Sequence, residues 1–224
     1  MLDFEPFFLT FKLAFATTLL LFIIGTPIAH WLTFSRSKFK VLIEAFVGLP
    51  LVLPPSVLGF YLLLAFSPQN SFGKFLETYF DVRLVFTFPG LVIASVIYSL
   101  PFMVQPIQSG FRMVPETLIE TAYTLGKSKF TTLIKILLPN IKGALLTGCV
   151  LSFAHTVGEF GVVLMVGGNI PSETRMISVA LYDEVEAMNY HNANVYSMIL
   201  LTFSFLALVS VYLVNHRMRE TRLL

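Results

Sequence analysis

The stretch RMVPETLIETAYTLGKSKFTTLIKILLPNIK, residues 112–142, lies between two long apolar runs and carries five of the chain's Lys and Arg residues. Residues 117–124 contain neither Gly nor Pro, and Gly126 stands where a helix would stop, because Gly enters the left-handed capping conformation freely. Pro139 falls near the start of the next apolar run, where a missing N–H is best tolerated. The pattern predicts a short helix on a basic loop between two membrane spans.

The spacing within this stretch resembles the signature E-A-A-x3-G-x9-I-x-L-P of the membrane subunits of importing ABC transporters. The matching residues are Glu120, Thr121, Ala122, Gly126, Ile136, Leu138 and Pro139, with Thr121 in place of the first Ala. In that family the segment is a cytoplasmic loop that docks into a cleft on the ATPase subunit. The resemblance implies that residues 111–140 are the loop that couples this chain to an ATPase.

The composition is that of a membrane protein. Hydrophobic residues make up 56% of the 224 residues and charged residues 12%, against about 25% charged in soluble domains. Mean hydropathy is +0.79. Cys149, which lies in an apolar run, is the single cysteine, so an internal disulfide is excluded. The cysteine count therefore does not indicate a redox compartment.

Long stretches without charged residues give the number of spans, since a span needs roughly 20 apolar residues. We predict an all-α integral membrane protein, a single domain over residues 1–224 with five transmembrane helices. They are expected near residues 11–33, 45–66, 88–110, 141–166 and 193–215. We do not expect the first to be a cleaved signal peptide, because its lead-in is acidic and it is too long for a signal-peptide core.

The distribution of positive charge predicts the orientation. Eleven Lys and Arg residues lie in the 34–44 loop, the 111–142 loop and the C-terminal tail, and only four lie on the other face. Because positive residues favour the cytoplasmic side, the N-terminus is expected outside and the C-terminus inside. The acidic segment 168–192 is then external, with a surface helix near the site of a delivering protein. The chain is expected in the cell membrane, as a multi-pass protein (the inner membrane in a Gram-negative source).

Prolines interrupt several spans. Pro50, Pro54 and Pro55 fall within six residues, Pro27 lies in the first span, and the third contains Pro101 and Pro106. An interior Pro costs about 3 kcal/mol in a regular helix, and in lipid such breaks survive where protein or a water-filled cavity satisfies the freed carbonyls. The second span is therefore predicted to be a broken helix lining a pathway. Simple kinking is the alternative for any single Pro.

Two further motifs resemble those of one branch of the family. LPLVLPPSVLGFY at residues 49–61 is similar to the second-span motif of molybdate permeases. HTVGEFG at residues 155–161, followed by GGNIP at 167–171, is similar to their fourth-span motif. The resemblance implies the type I ABC importer permease fold and a homodimer that carries two ATPase subunits. It also implies an extracytoplasmic binding protein that delivers molybdate or a related oxyanion, tungstate or sulfate/thiosulfate.

Apart from Lys12 and Lys142 at the span ends, Glu159 is the only ionised-type side chain inside a predicted span. Its placement there costs roughly 2.5–3.5 kcal/mol, which favours a functional role. We expect it to pair with His155, one turn earlier, or with a residue of the partner subunit, and to act as a gate or structural tie. The alternative is a Glu that reaches interfacial water. The candidate residues of the pathway or gate are Pro50, Pro54, Pro55, Ser56, Ser152, His155, Thr156, Gly158 and Glu159. Further neutral donors that could pass the anion along are Thr147, Gln105, Gln108 and Ser109.

Other functions are disfavoured. Gly126-Lys127-Ser128 resembles the end of a phosphate-binding loop, but Thr121 occupies the place of the required first Gly, so this chain is expected to bind no ATP and no other cofactor. No third metal ligand is spaced to join His155 and Glu159. An intramembrane enzyme would have only Ser152, His155 and Glu159, all on one helix. A stand-alone channel or secondary carrier would have no function for the helix in the basic loop. Nucleic acid is not an expected partner.

Overall fold

The computed structural model describes residues 3–220, and the side chains of residues 3–213. Within that range the chain folds into helices and forms no strand. The helices are α1 Glu5–Phe34, α2 Lys40–Val52, α3 Pro55–Phe66, α4 Ser71–Phe80, α5 Phe88–Arg112, α6 Glu116–Thr124, α7 Lys129–Thr132, α8 Leu138–Asn140, α9 Lys142–Val157, α10 Gly161–Gly167, α11 Ile177–Glu186 and α12 Tyr190–Glu220. A π-helical turn, Leu133–Leu137, joins α7 to α8.

Among the described residues, α1, α5 and the Tyr190–Leu213 part of α12 are long and apolar enough to cross a membrane. The number rises to five if each of two bent helix pairs counts as one span. The first pair is α2 with α3, bent by 114°, and the second is the α7–α8 segment with α9, bent by 73°. Five spans and their orientation remain predictions.

The break in the predicted second span is confirmed, and its cause is local. α2 ends at Val52, after which Leu53 has ψ 136° and Pro54 has ψ 135°. A residue that precedes proline is pushed out of the helical region, so Leu53-Pro54-Pro55 forces two successive extended residues. Pro55 then opens α3, where its missing N–H removes no helix bond. By contrast, α1 continues through Pro27, and α5 continues through both of its interior prolines.

The prediction of one continuous fourth span near residues 141–166 is wrong. α9 ends at Val157, and α10 begins only at Gly161. No proline causes this break. Gly158 and Phe160 leave helical geometry, and the carbonyl oxygen of Glu159 accepts a hydrogen bond from Ser178 Oγ at 2.6 Å instead of from the next helical turn.

The core is organised around α5, which packs against α1, α2, α9 and α10. Of its most apolar window, 56% is buried, against 11% for α12. One apolar cluster surrounds the first half of α5 and takes residues from α1, α3 and α10, and a second surrounds its C-terminal half. Because lipid offers no hydrophobic drive for helix association, close packing has to hold these helices together.

The start of α5 shows how close this packing is. Thr87 Oγ1 accepts the Gly90 N–H at 3.3 Å and caps the helix. The same hydroxyl donates to the Leu84 carbonyl at 3.0 Å. A Cβ atom on Gly90 would lie 1.7 Å from that Leu84 oxygen. Only glycine fits this turn.

Candidate functional site

The basic loop contains the short helix that its sequence predicts. α6 ends at Thr124, and Gly126 takes the left-handed conformation with φ 72°. The Lys127 N–H donates to the Ala122 carbonyl at 3.0 Å, and the Gly126 N–H donates to the Tyr123 carbonyl at 2.9 Å. These two bonds form a Schellman motif, which satisfies carbonyls at the helix end. The predicted role of Gly126 as a helix stop is confirmed.

The seven residues of the loop signature do not share one surface. Glu120, Thr121 and Gly126 are exposed, whereas Ala122 is 3% exposed and faces the chain's own interior. Farther along, Ile136 and Leu138 are half-buried, and Pro139 is exposed in α8, before the bend to α9. A large residue at position 122 would therefore disturb this chain's own packing first, and the assignment of Ala122 to the ATPase-coupling residues stays a prediction.

Large apolar side chains on the loop are exposed beside its lysines. Leu125 is 69% exposed and Phe130 73%, and Leu118 and Tyr123 are also exposed. Sequence reasoning missed these four residues because it followed the signature alone. The available signal was the apolar residues on a segment otherwise rich in Lys and Thr. An exposed apolar patch with a polar rim is typical of a protein-binding surface.

The two broken spans meet at their breaks. A Cβ atom added to Gly161, the first residue of α10, would lie 2.8 Å from Pro55 Cβ and 3.2 Å from the Ser56 nitrogen. One turn farther along α3, a Cβ on Gly59 would lie 2.9 Å from Met165 Cβ. The structure thus brings the predicted second-span and fourth-span elements together, through glycines that allow the helices to touch.

Glu159 lies in the second of these breaks. Its side chain is 4% exposed, and neither carboxylate oxygen has a hydrogen-bond partner among the described residues, although the Ser95 hydroxyl lies beside it. The predicted pairing with His155 is wrong, because α9 ends before Glu159 and the two residues no longer share a helix face. A buried polar group without a partner is costly. The described residues therefore leave the Glu159 carboxylate without the partner that its burial calls for.

His155 belongs to a buried polar seam between α5 and α9. Its Nδ1 and Ser99 Oγ share a hydrogen bond of 2.9 Å, and Ser99 Oγ lies 3.1 Å from Thr156 Oγ1. The imidazole also stacks on Phe102 with 3.9 Å between ring centroids. Ser152 Oγ and Ser95 Oγ, both buried, find no partner in the described part of the chain.

Apart from the half-buried His155, the candidate pathway residues fall into two groups. Ser152, Thr156 and Glu159 are buried within this chain, as is Pro50. The exposed group, which a second copy or a solute could touch, is Pro54, Pro55, Ser56 and Gly158.

Among the proposed neutral donors, Gln108 is 5% exposed and its Nε2 donates to Glu44 Oε1, and its role toward an anion stays a prediction. Gln105 and Ser109 are exposed. Sequence reasoning missed Ser95 and Ser99, although their i, i+4 spacing placed two hydroxyls on one face of α5. Among the described residues, no group of three or more His, Cys, Asp or Glu side chains could hold a metal ion.

Comparison with known proteins places these features in a family. Residues 13–222 match the family described as "Binding-protein-dependent transport system inner membrane component". The chain is 49% identical over 204 residues to the molybdenum transport system permease protein ModB of Azotobacter vinelandii, covering 91% of this chain and 90% of that protein. It is 31% identical to the sulfate transport system permease protein CysT of Salmonella typhimurium, covering 93% of this chain and 75% of that protein.

Two solved structures share the fold. One is an inward-facing form of the MetNI methionine ABC transporter, with a TM-score of 0.68, 17% identity and coverage of 95% of this chain and 96% of that one. The other is a bacterial ABC transporter involved in the import of alginate, with a TM-score of 0.70, 18% identity and coverage of 97% and 80%. The predicted all-helical ABC importer permease fold is confirmed.

Proposed function

Since the chain belongs to the family of binding-protein-dependent transport system inner membrane components, we propose that it is the permease subunit of an ATP-driven importer that carries molybdate across the cell membrane. The choice of molybdate rests on one observation, the 49% identity to ModB over 91% of this chain. Sulfate is the second candidate, because a sulfate permease is also similar over most of the chain. Tungstate has the same shape and charge as molybdate and is tested beside it.

The proposed assembly follows from the loop and the breaks. The basic loop, with its rigidly terminated helix and exposed apolar side chains, would dock an ATPase subunit. Two copies of this chain, each carrying one ATPase, would bring two identical faces together at a two-fold axis. The exposed residues Pro54, Pro55, Ser56 and Gly158 are candidates for lining that axis. An extracytoplasmic binding protein would deliver the anion to the side that bears α11.

The substrate is tested by reconstitution. The chain, the ATPase and the binding protein are placed in proteoliposomes, and ATP hydrolysis is measured with molybdate, tungstate and sulfate. We expect molybdate to stimulate ATP hydrolysis at a lower anion concentration than sulfate does. Stimulation by sulfate alone would replace the proposed substrate, and an ATPase that fails to bind the chain would contradict the importer assembly.

Orientation is tested with cysteines. The segment 168–192 contains α11 as expected, although the first turn of α11 is buried. Asp183 is a poor labelling site because it accepts hydrogen bonds from Arg175 at 3.1 Å and Asn169 at 2.7 Å. In a Cys149→Ala background, we therefore expect Glu173→Cys to react with an impermeant thiol reagent in intact cells. Lys127→Cys, on the basic loop, is expected to react only after permeabilisation. The reverse labelling pattern would overturn the predicted orientation. A reporter fused after Leu224 is also expected on the inside, and that position lies beyond the described residues.

We propose that the Glu159 carboxylate gains a hydrogen-bonding partner from the second copy of the chain when the pathway opens or closes. Glu159→Gln keeps the shape and removes the charge, and Glu159→Leu removes hydrogen bonding altogether. We expect anion uptake to fall in both variants, and to fall further in the Leu variant. A lost interaction of about 1.4 kcal/mol corresponds to a decrease on the order of tenfold. Since an unpaired buried carboxylate is costly, the melting temperature of the Leu variant should stay level or rise.

The control is Glu173→Gln, which removes a carboxylate from an exposed position. Transport should be unaffected there. Wild-type uptake and wild-type ATPase stimulation in both Glu159 variants would make Glu159 a bystander.

A further inference from the structure

A three-residue cluster joins α2 to the end of α5. Glu44 Oε1 accepts a hydrogen bond from Gln108 Nε2 at 2.8 Å and a second from Arg112 Nη2 at 2.9 Å. Gln108 and Arg112 are one turn apart on α5 and therefore point to the same side of the helix. We refer to Glu44, Gln108 and Arg112 as the Glu44 clamp.

The two ends of the clamp lead to the two parts of the candidate site. α2, which carries Glu44, runs directly into the Leu53–Pro55 break whose far side touches Gly161. Arg112 is the last residue of α5, and the chain passes from it through a short turn into α6. One carboxylate oxygen of Glu44 thus connects the broken second span to the end of α5, where the docking loop begins.

The clamp is suited to movement more than to permanent fastening. The Glu44 side chain is 40% exposed and that of Arg112 56%. Ion pairs at such exposed positions contribute little to stability, so the clamp can break and form again without unfolding its surroundings. Its short hydrogen bonds still hold α2 in a defined position relative to α5 while they last.

We propose that Glu44 is a positioning residue that transmits movement of the docking helix α6 to the broken second span. The inference rests on the proposed function, since it requires an ATPase that moves α6. When the ATPase shifts α6, the end of α5 shifts with it, and the clamp obliges α2 and the break at Pro54 to follow. Without the clamp, ATP is still hydrolysed, but α2 follows the end of α5 through apolar packing alone, and less of the movement reaches the break at Pro54.

The test uses the full assembly in proteoliposomes and measures anion transported per ATP hydrolysed. We expect Glu44→Ala to assemble and hydrolyse ATP, with this ratio reduced at least about fivefold, the low end of ordinary coupling between two sites. Glu44→Gln keeps one acceptor oxygen and should fall in between. The exchanged pair, Glu44→Arg with Arg112→Glu, should recover part of the ratio that each single change loses.

The matched control is Glu77→Ala, which removes an exposed carboxylate from α4, away from the clamp. A purely structural role for Glu44 would lower the melting temperature and yield without changing the ratio. A wild-type ratio in Glu44→Ala, or an exchanged pair no better than the single changes, overturns the inference. The ratio can be measured with whichever oxyanion stimulates hydrolysis, so a wrong substrate leaves this test intact. A wild-type assembly without any anion-stimulated hydrolysis contradicts the proposed function and the clamp together.

Discussion

Gly90→Ala is expected to abolish the stable fold of this protein, although it adds a single methyl group. That methyl would sit 1.7 Å from the Leu84 carbonyl oxygen, and a backbone atom cannot rotate away as a side chain can. Overpacking of a core costs about 1–3 kcal/mol and occasionally more, and here the turn before α5 would have to open. Because α5 is the centre of the core, we expect a large loss of folded protein in detergent, measured as melting temperature and monodisperse yield.

Gly48→Ala is the matched control for this experiment. A Cβ atom on Gly48 would have only Gln105 Nε2 near it, at 4.0 Å. Gly48 lies inside α2, where alanine favours a helix by about 1 kcal/mol over glycine. Its melting temperature should equal or exceed that of the wild type. Equal behaviour of the two variants would contradict the close approach at Gly90.

Gly126→Val is expected to weaken ATPase association while the chain still inserts and folds. The position has φ 72° and open space around an added Cβ, so the cost comes from the backbone alone. A left-handed conformation costs an L-residue about 1–2 kcal/mol, enough to weaken association about tenfold if the turn reshapes. A β-branched residue such as Val is among the worst for φ above zero. Co-purification with the ATPase and anion-stimulated hydrolysis measure the loss.

Gly126→Asn separates the shape of the turn from the identity of the residue. Asn tolerates the left-handed conformation, and the space around position 126 accommodates its side chain. We expect Gly126→Asn to bind the ATPase nearly as the wild type does. Normal association of the Val variant would count against a docking role for this turn.

Local chemistry made part of the architecture predictable. The Leu53-Pro54-Pro55 break follows from steric rules that act between neighbouring residues. The same is true of the helix stop at Gly126, where no other residue type enters the left-handed region as easily. Both features are decided within a few residues, so sequence reasoning reached them.

Features that depend on tertiary contacts were not predictable in this way. α1 and α5 stay continuous through their interior prolines, which the local steric rule alone does not anticipate. α9 ends at Val157 without a proline, and the Glu159 carbonyl bonds to Ser178, a residue from another helix. The i, i+4 pairing of His155 with Glu159 assumed an unbroken helix. The burial of Ala122 likewise depends on how α6 packs, which spacing alone does not reveal.

The π-helical turn at Leu133–Leu137 has a consequence for comparing lengths among related chains. A π turn holds one residue more than an α turn, so losing one residue here lets the segment close as ordinary α-helix. Gaining one residue here would not let the segment close as ordinary α-helix. After such a loss, the residues beyond the turn would face nearly as before, because the π turn uses one residue more than an α turn to complete the same rotation. Two relatives that differ by one residue in this segment would therefore present different helix faces at positions that a gap-free alignment pairs.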